Sequence, residues 1–293
     1  MNYILPKPLK KGDTIAVIAP AGPISYNAPI LRAKKYFENL GYEITFGQHL
    51  FDQDRYLAAS DEDRLEDLHW AFGNKDIDAI ICARGGYGTL RIINDIDYNL
   101  IKHNPKNFCG YSDITVLSLM MLKRAGLITY SSPMMKGDFG SENKSEYTIQ
   151  KFFEALEHKP IKIEAPKLHK QGKAHGIMWG GNLASVASLC GIDFIPDDDF
   201  IFFAEDLNEP VYKVDKMLTQ LFNIPQFRKH IKGIVFGKFL DVEYPEQLDY
   251  LFDEISQNLG IPTVSDVNIS HDDDKMTIPI GKMAKLENDI LTI

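Results

Sequence analysis

The sequence has few cysteines, three among 293 residues, and no two of them form a Cys-x-x-Cys pair. A disulfide framework or a zinc site requires closely paired cysteines, so neither is expected. Cys82, Cys109 and Cys190 each stand in an apolar segment. We therefore predict reduced thiols in the core, with no metal and no cofactor.

The sequence also lacks long apolar runs and an excess of positive charge. No run approaches the roughly 18 consecutive apolar residues of a transmembrane helix, and residues 1–7 carry no cationic leader with an apolar segment behind it. Against 32 Lys and Arg stand 41 Asp and Glu, a formal charge of −9 that argues against a general polyanion binder. We predict a cytoplasmic protein that binds neither membrane nor nucleic acid.

The first half of the sequence alternates apolar strand patterns with amphipathic helix patterns. Residues 14–20 form a continuous apolar run, typical of a strand covered on both faces. Further strands are predicted at 43–46, 79–83 and 107–110, each with a helix pattern after it. This alternation predicts an α/β fold with a parallel sheet flanked by helices, and ligands at the carboxyl ends of its strands.

The second half is less regular. Residues 158–175 are rich in Lys, Pro, His and Gln without a firm period, which predicts an interdomain connection. We place an N-terminal α/β domain at 1–160 and a smaller mixed, partly β domain at 161–293.

Two predicted strands end in turns that carry candidate functional residues. Residues 84–88, Arg-Gly-Gly-Tyr-Gly, form a turn whose backbone can approach a ligand closely. Ser112 follows Gly110 and precedes a helix pattern, so its side chain should project from the sheet beside free N–H groups. Ser112 is the candidate nucleophile. A phosphate cradle at 84–88 is a minor alternative, because neither dinucleotide nor P-loop spacing is present.

A serine nucleophile requires a base, and His271 is the candidate. It stands in a loop between two apolar segments, where active-site residues are common. A turn histidine among three aspartates, or a metal loop at 271–274, are the alternatives. His49 is uninformative, and the remaining six histidines are interpreted as solvated: His69, His103, His158, His169, His175 and His230.

The acid that orients the base is sought at the end of the apolar strand pattern 202–206. Glu205 or Asp206 could serve, and a helix-capping acid is the alternative. Arg84 could bind a substrate carboxylate or form a structural ion pair.

Five motifs in this order resemble the LD-carboxypeptidase family, which includes the microcin C self-immunity peptidases. They are Cys82–Gly88, Gly110–Thr115, Met178–Leu183, Ala204–Asp206 with Asp215–Leu221, and His271 with Ile278–Gly281. The resemblance implies Ser112 as nucleophile, Glu205 as acid and His271 as base, with an oxyanion hole of backbone N–H groups at Gly86 and Asp113. Ser270 and Ser132 stand where the family often has Gly.

The resemblance also implies a function. We expect a cytoplasmic serine carboxypeptidase that removes the terminal D-alanine from peptidoglycan tetrapeptides in cell-wall recycling, with a muropeptide as its small peptide partner, and a homodimer. Arg84, Tyr87, Trp179 and Asn182 are predicted to bind substrate. The alternatives are cleavage of microcin C-type peptidyl nucleotides, with Trp179 as a base-stacking site, and a non-catalytic small-ligand binding protein with the same cleft.

Overall fold

A computed structural model describes residues 3–293, and the first half of the chain builds the sheet that carries the serine turn. Its elements are β1 (Thr14–Ile18), α1 (Ala28–Asn39), β2 (Glu43–Phe46), α2 (Asp61–Gly73), β3 (Ala79–Cys82), α3 (Thr89–Ile92), α4 (Tyr98–His103), β4 (Asn107–Cys109), α5 (Ile114–Ala125), β5 (Thr129–Ser131), a π-helix (Met135–Phe139) and α6 (Glu146–Leu156).

The second half contains more strands than helices. Its elements are β6 (Lys162–Glu164), β7 (Lys167–Lys170), β8 (Lys173–Asn182), α7 (Leu183–Ser188), β9 (Phe200–Leu207), α8 (Val211–Phe222), α9 (Pro225–His230), β10 (Ile231–Leu240), α10 (Pro245–Leu259), β11 (Thr263–Ser265), β12 (Ile278–Ile280), β13 (Met283–Glu287) and β14 (Ile290–Thr292).

The first sheet has six strands in the order β12-β5-β4-β3-β1-β2, parallel except for β12. All four residues of β3 are buried, as their apolar run predicts for a strand covered on both faces. Ile18 pairs with Cys82, and Ile81 pairs with Cys109. The carboxyl ends of β1, β3 and β4 therefore lie side by side, which puts the glycine turn and the serine turn at one edge.

The second sheet has eight strands in the order β6-β14-β13-β8-β9-β10-β11-β7. Strands β8 to β11 run parallel, and the flanking strands are antiparallel. The predicted α/β fold with a mixed C-terminal part is thus confirmed. The predicted hairpin at 288–289 joins β13 to β14.

Two details differ from the sequence interpretation. Residues 158–175 are not a bare connection, because they contain β6 and β7, whose polar composition suits the two edge strands of the sheet. Strands β8 and β10 each have ten residues instead of being short. The border proposed near residue 160 stays a prediction, and β12 crosses it by joining the first sheet.

Two helix N-termini are capped by serines, and two of the three cysteines predicted for the core are buried. Ser60 and Ser145 accept hydrogen bonds from the first turns of α2 and α6. The three thiols are free, with Cys82 and Cys109 buried and Cys190 half-buried. Within residues 3–293, no helix combines the length and apolarity needed to cross a bilayer.

Candidate active site

Ser112 lies on a sharp turn between β4 and α5. Its φ is +63°, a left-handed conformation that non-glycine residues rarely adopt. The turn is closed by a hydrogen bond from the Thr115 N–H to the Ser112 carbonyl, at 3.0 Å. Such a strand-to-helix turn lifts a serine out of the sheet at the cost of backbone strain. The side chain is accordingly only partly buried.

The glycine turn after β3 packs directly against this serine. A Cβ at Gly85 would lie 2.8 Å from Ser112 Cβ, 3.0 Å from Ser112 Oγ and 3.4 Å from the Asp113 nitrogen. With contacts this short, a side chain at residue 85 would displace the serine turn. The two turns that the sequence singled out therefore meet, and glycine is required where they do.

Two backbone N–H groups beside Ser112 are free. Neither the Gly86 N–H nor the Asp113 N–H donates to an acceptor within residues 3–293. Asp113 is the N-cap of α5, where the helix dipole favours negative charge. Thr89 fixes this corner, since its N–H donates to the Asp113 carboxylate and its hydroxyl donates to the Asp113 carbonyl. The role of the Gly86 and Asp113 N–H groups as an oxyanion hole stays a prediction.

Glu205 and His271 form a hydrogen-bonded pair. The imidazole Nδ1 lies 2.7 Å from Glu205 Oε2, and the glutamate is 3% exposed. Burial lowers the pKa of His271, but the hydrogen bond to Glu205 and the charges of Glu205 and Asp206 outweigh it, so the pKa lies above its ordinary value. With Nδ1 bound to the carboxylate, Nε2 is left to exchange a proton with a nucleophile.

Asp206 forms no hydrogen bond with the imidazole of His271. Its carboxylate accepts hydrogen bonds from Asn182 Nδ2 at 2.8 Å and from the Ala184 N–H at the start of α7, at 2.9 Å. Burial raises the pKa of Asp206 to about 6. Of the two acids that the sequence left open, Glu205 is the partner of His271, and Asp206 fixes a helix terminus.

The loop carrying His271 crosses β10 at a position that requires glycine. A Cβ at Gly237 would lie 2.0 Å from the Ile269 carbonyl and 3.1 Å from Glu205 Cβ. The Lys238 N–H donates to the same Ile269 carbonyl at 3.0 Å. Gly237 thus holds the base loop against the strand that carries the acid, a role that the sequence analysis missed.

Tyr111 connects this pair to the serine turn. Its ring contacts the imidazole of His271 edge to face, with centroids 4.8 Å apart. The Ser112 hydroxyl makes no hydrogen bond to any residue between 3 and 293, His271 included. Such bonds often tighten only when substrate is bound.

A second pair supports the same region and was not predicted. Lys275 forms a buried salt bridge with Asp138 of the π-helix, and its ammonium lies 5.1 Å from the centre of the Tyr111 ring. The positive charge of Lys275 also acts against the raised pKa of His271. A lysine in a loop of aspartates gave no sequence signal, because the pairing with Asp138 is made by the fold.

The four predicted substrate-binding residues have different surroundings. Arg84 is half-buried and has no carboxylate partner among the described residues, so the structural ion pair considered for it is wrong. Tyr87 is 49% exposed beside the glycine turn. Asn182 caps α7 and donates to Asp206, and its contact with substrate stays a prediction.

Trp179 is wrong as a base-stacking site. Its side chain is fully buried, and its indole packs against the rings of Phe194, Phe200, Phe202 and Phe227. Since the Trp179 ring is buried among these aromatic side chains, no face of the ring is available to a ligand. The apolar residues Ile177 and Met178 before it in the sequence are consistent with a core position.

One histidine interpreted as solvated is instead buried in a hydrogen-bonded chain. The His169 side chain has no exposed surface, its Nδ1 lies 2.6 Å from Asp253 Oδ1, and its Nε2 lies 2.8 Å from Ser265 Oγ. This Ser265–His169–Asp253 arrangement shares no residue with the Ser112 turn.

The acidic loop after His271 is held by protein contacts. Asp272 pairs with Lys238 at 3.0 Å, and Asp274 accepts a hydrogen bond from Ser145. Among residues 3–293, the grouping compact enough for a metal is elsewhere, at His49, Asp63 and Glu66, with ligand atoms within 4.8 Å of one another. Asp272 and Asp274 therefore both have protein partners.

Comparisons with known protein families cover most of the chain. Residues 15–132 match the LD-carboxypeptidase N-terminal domain, and residues 175–286 match the LD-carboxypeptidase C-terminal domain. A Bacillus subtilis (strain 168) protein named "Probable murein peptide carboxypeptidase" is 34% identical, and the alignment covers 98% of this chain and 92% of the relative.

Two solved structures have the same fold over nearly the whole chain. An MccF-like protein from Bacillus anthracis (strain Ames) superposes with a TM-score of 0.91 at 31% identity, covering 99% of both chains. A muramoyltetrapeptide carboxypeptidase from Oxalobacter formigenes gives a TM-score of 0.88 at 30% identity, covering 95% of this chain and 97% of the other.

Proposed function

The chain belongs to the LD-carboxypeptidase family of serine peptidases, and on this premise we propose that it removes the terminal D-alanine from peptidoglycan tetrapeptides. The observation that carries the proposal is the hydrogen bond of 2.7 Å between His271 and Glu205, together with the contact of His271 with Tyr111, the residue before Ser112. The murein peptidase from Bacillus subtilis and the muramoyltetrapeptide carboxypeptidase from Oxalobacter formigenes support this substrate class.

The reaction begins with Ser112. His271 Nε2 removes the hydroxyl proton as Oγ attacks the carbonyl of the last amide bond, and Glu205 stabilises the resulting imidazolium through Nδ1. The carbonyl oxygen becomes an oxyanion held by the N–H groups of Gly86 and Asp113. Donors positioned in this way are typically worth about 3–4 kcal/mol each in the transition state.

Collapse of this intermediate breaks the amide bond. The proton on His271 passes to the leaving nitrogen, D-alanine departs with its amine, and the rest of the peptide remains as an ester on Ser112. Water then attacks the ester with His271 as base, which restores the serine hydroxyl and releases the shortened peptide.

The proposed function also includes a cellular location and an oligomeric state. A cytoplasmic enzyme acting on wall fragments would contribute to cell-wall recycling, and the family resemblance supports a homodimer. Cell fractionation and sedimentation of the purified protein test these two points independently of the chemistry.

A second candidate is cleavage of peptidyl nucleotides of the microcin C type, favoured by the TM-score of 0.91 to the MccF-like protein. The buried Trp179 removes the aromatic site first proposed for the nucleotide. The third alternative, a non-catalytic binding protein, is set aside because the family is one of peptidases.

Mass spectrometry of reaction products distinguishes the two enzymes. Purified protein is incubated with a muramyl tetrapeptide and, separately, with a peptidyl nucleotide, and Ser112→Ala serves as the control. Loss of D-alanine from the tetrapeptide by the wild type alone is expected. Cleavage of the peptidyl nucleotide alone would replace the first proposal with the second.

A further inference from the structure

Two cationic residues, Arg84 and Lys136, belong to segments that meet at the glycine turn. The Lys136 backbone N–H donates to the Ala83 carbonyl at 2.8 Å, so the π-helix is attached to the residue just before Arg84. A Cβ at Gly86 would lie 3.6 Å from Arg84 Nη2. The guanidinium therefore lies next to the backbone proposed to hold the oxyanion.

Neither cation has an acidic partner among the described residues. Arg84 donates from Nε to the Gly85 carbonyl at 3.1 Å and from Nη1 to the Pro23 carbonyl at 3.4 Å, which leaves Nη2 without a protein acceptor. The Lys136 ammonium makes no hydrogen bond within residues 3–293. Burial lowers the pKa of Lys136, and the charge of Arg84 lowers it further. Two half-buried like charges are unfavourable unless an anion joins them.

We propose that Arg84 and Lys136 bind the α-carboxylate of the residue that the enzyme removes, and that this contact restricts cleavage to the last peptide bond. The inference rests on the proposed carboxypeptidase function. Guanidinium and ammonium donors are both well suited to a carboxylate, and the free Nη2 can donate to it directly.

The position of the pair selects this carboxylate. The terminal α-carboxylate carbon is three bonds from the carbonyl carbon under attack, a separation of no more than about 4 Å. A cation that binds this carboxylate must therefore lie beside the oxyanion donors, as Arg84 does next to Gly86. A carboxylate on the side chain of the preceding diamino acid is several bonds farther from the reacting carbonyl.

The test compares kcat/KM for a tetrapeptide ending in a free carboxylate with kcat/KM for the same peptide ending in a carboxamide. In Lys136→Gln, the value for the carboxylate peptide is expected to fall about 10- to 100-fold, the usual effect of losing a hydrogen bond to a charged group, while the carboxamide value stays within about twofold. Since the Lys136 ammonium contacts no protein acceptor, this variant should fold normally. Lys102→Gln, an exposed lysine on α4, is the matched control and should change neither value.

A second pair of peptides identifies which carboxylate is bound. They carry either lysine or diaminopimelate at the third position, so only one of them has a side-chain carboxylate. An equal loss on both is expected, whereas a loss confined to the diaminopimelate peptide would overturn the assignment to the α-carboxylate. Unchanged selectivity in Lys136→Gln, with a wild type that cleaves the tetrapeptide, overturns this inference and leaves the proposed function standing. A wild type that cleaves neither peptide contradicts both.

Discussion

The molecule contains two serine–histidine–carboxylate arrangements. In one, His271 lies 2.7 Å from Glu205, the ring of Tyr111 contacts His271, and the Ser112 hydroxyl makes no hydrogen bond within residues 3–293. In the other, His169 lies 2.6 Å from Asp253 and 2.8 Å from Ser265, so all three side chains are joined. By side-chain distances alone, the second is the more complete triad.

The two arrangements differ in whether the serine or the carboxylate is exposed. Ser265 is 1% exposed and lies within β11, while its carboxylate Asp253 is 60% exposed. Ser112 is partly exposed, and its carboxylate Glu205 is 3% exposed. Beside Ser112 are free N–H groups on a turn with φ +63°, whereas Ser265 pairs in a sheet. An accessible hydroxyl with donors for the oxyanion therefore identifies the candidate site better than a row of hydrogen bonds.

The largest expected effect separates the two serines. Ser112→Ala should lower kcat for D-alanine release by at least about 10⁴-fold, since the nucleophile is lost. Ser265→Ala should leave kcat within about twofold and lower the free energy of unfolding by about 1 kcal/mol through the lost hydrogen bond to His169. Assays of D-alanine release measure kcat, and thermal unfolding measures the change in stability. A Ser265→Ala enzyme as inactive as Ser112→Ala would reverse the assignment of the two arrangements.

The two carboxylates should differ almost as strongly. Glu205→Gln should lower kcat/KM by roughly 10³- to 10⁴-fold, because the imidazole loses the partner that fixes its tautomer and stabilises its charge. Asp253→Asn should leave kcat/KM unchanged.

The pH profile sharpens this prediction. A base must be neutral to accept a proton, so with His271 in the proposed role kcat/KM of the wild type should rise as the pH increases through a pKa above the ordinary histidine value. Glu205→Gln removes interactions that raise this pKa, and the residual activity should therefore rise at lower pH. An unshifted profile would show that the rate does not report the ionisation of His271.

Glycine 85 tests whether the serine turn needs its close neighbour. Gly85→Ala places a Cβ 2.8 Å from Ser112 Cβ and should lower kcat about 100-fold, because a small displacement of a nucleophile is costly. Gly73→Ala, whose Cβ would make only ordinary contacts with Leu100, is the control. Full activity in Gly85→Ala would mean that Ser112 can move without loss of its role.

The smallest effect concerns the second histidine, which should stabilise the fold without affecting catalysis. His169→Ala leaves Ser265 without its partner in the core and should lower the free energy of unfolding by roughly 1–3 kcal/mol, with kcat unchanged below the melting transition. The control is His175→Ala, at an exposed position on β8. Differential scanning calorimetry measures the shift, and an unchanged Tm in His169→Ala would contradict the structural role.

Much of the first sheet could be predicted from the sequence because its signals are local. The apolar runs of β1 and β3 each follow from a few adjacent residues. The meeting of the two turns also followed, since parallel strands end at one edge of a sheet.

The contacts that complete the site could not be predicted in this way. Gly237 matters because the Ile269 carbonyl crosses it, and Lys275 matters because Asp138 lies opposite. His169 was misinterpreted because Lys167 and Lys170 give it a polar setting in the sequence, whereas the fold brings Asp253 of α10 and Ser265 of β11 to its ring. In each case the partner is distant in sequence and is brought close only by the fold.

The most direct test of the central claim is labelling of the active serine. Wild-type protein is treated with an acylating or phosphonylating serine probe, digested, and mapped by mass spectrometry, with Ser112→Ala, Ser265→Ala and His271→Ala in parallel. We predict a single adduct on Ser112 in the wild type and in Ser265→Ala, and none in Ser112→Ala or His271→Ala. An adduct on Ser265, or labelling of Ser112 that persists without His271, would contradict the account.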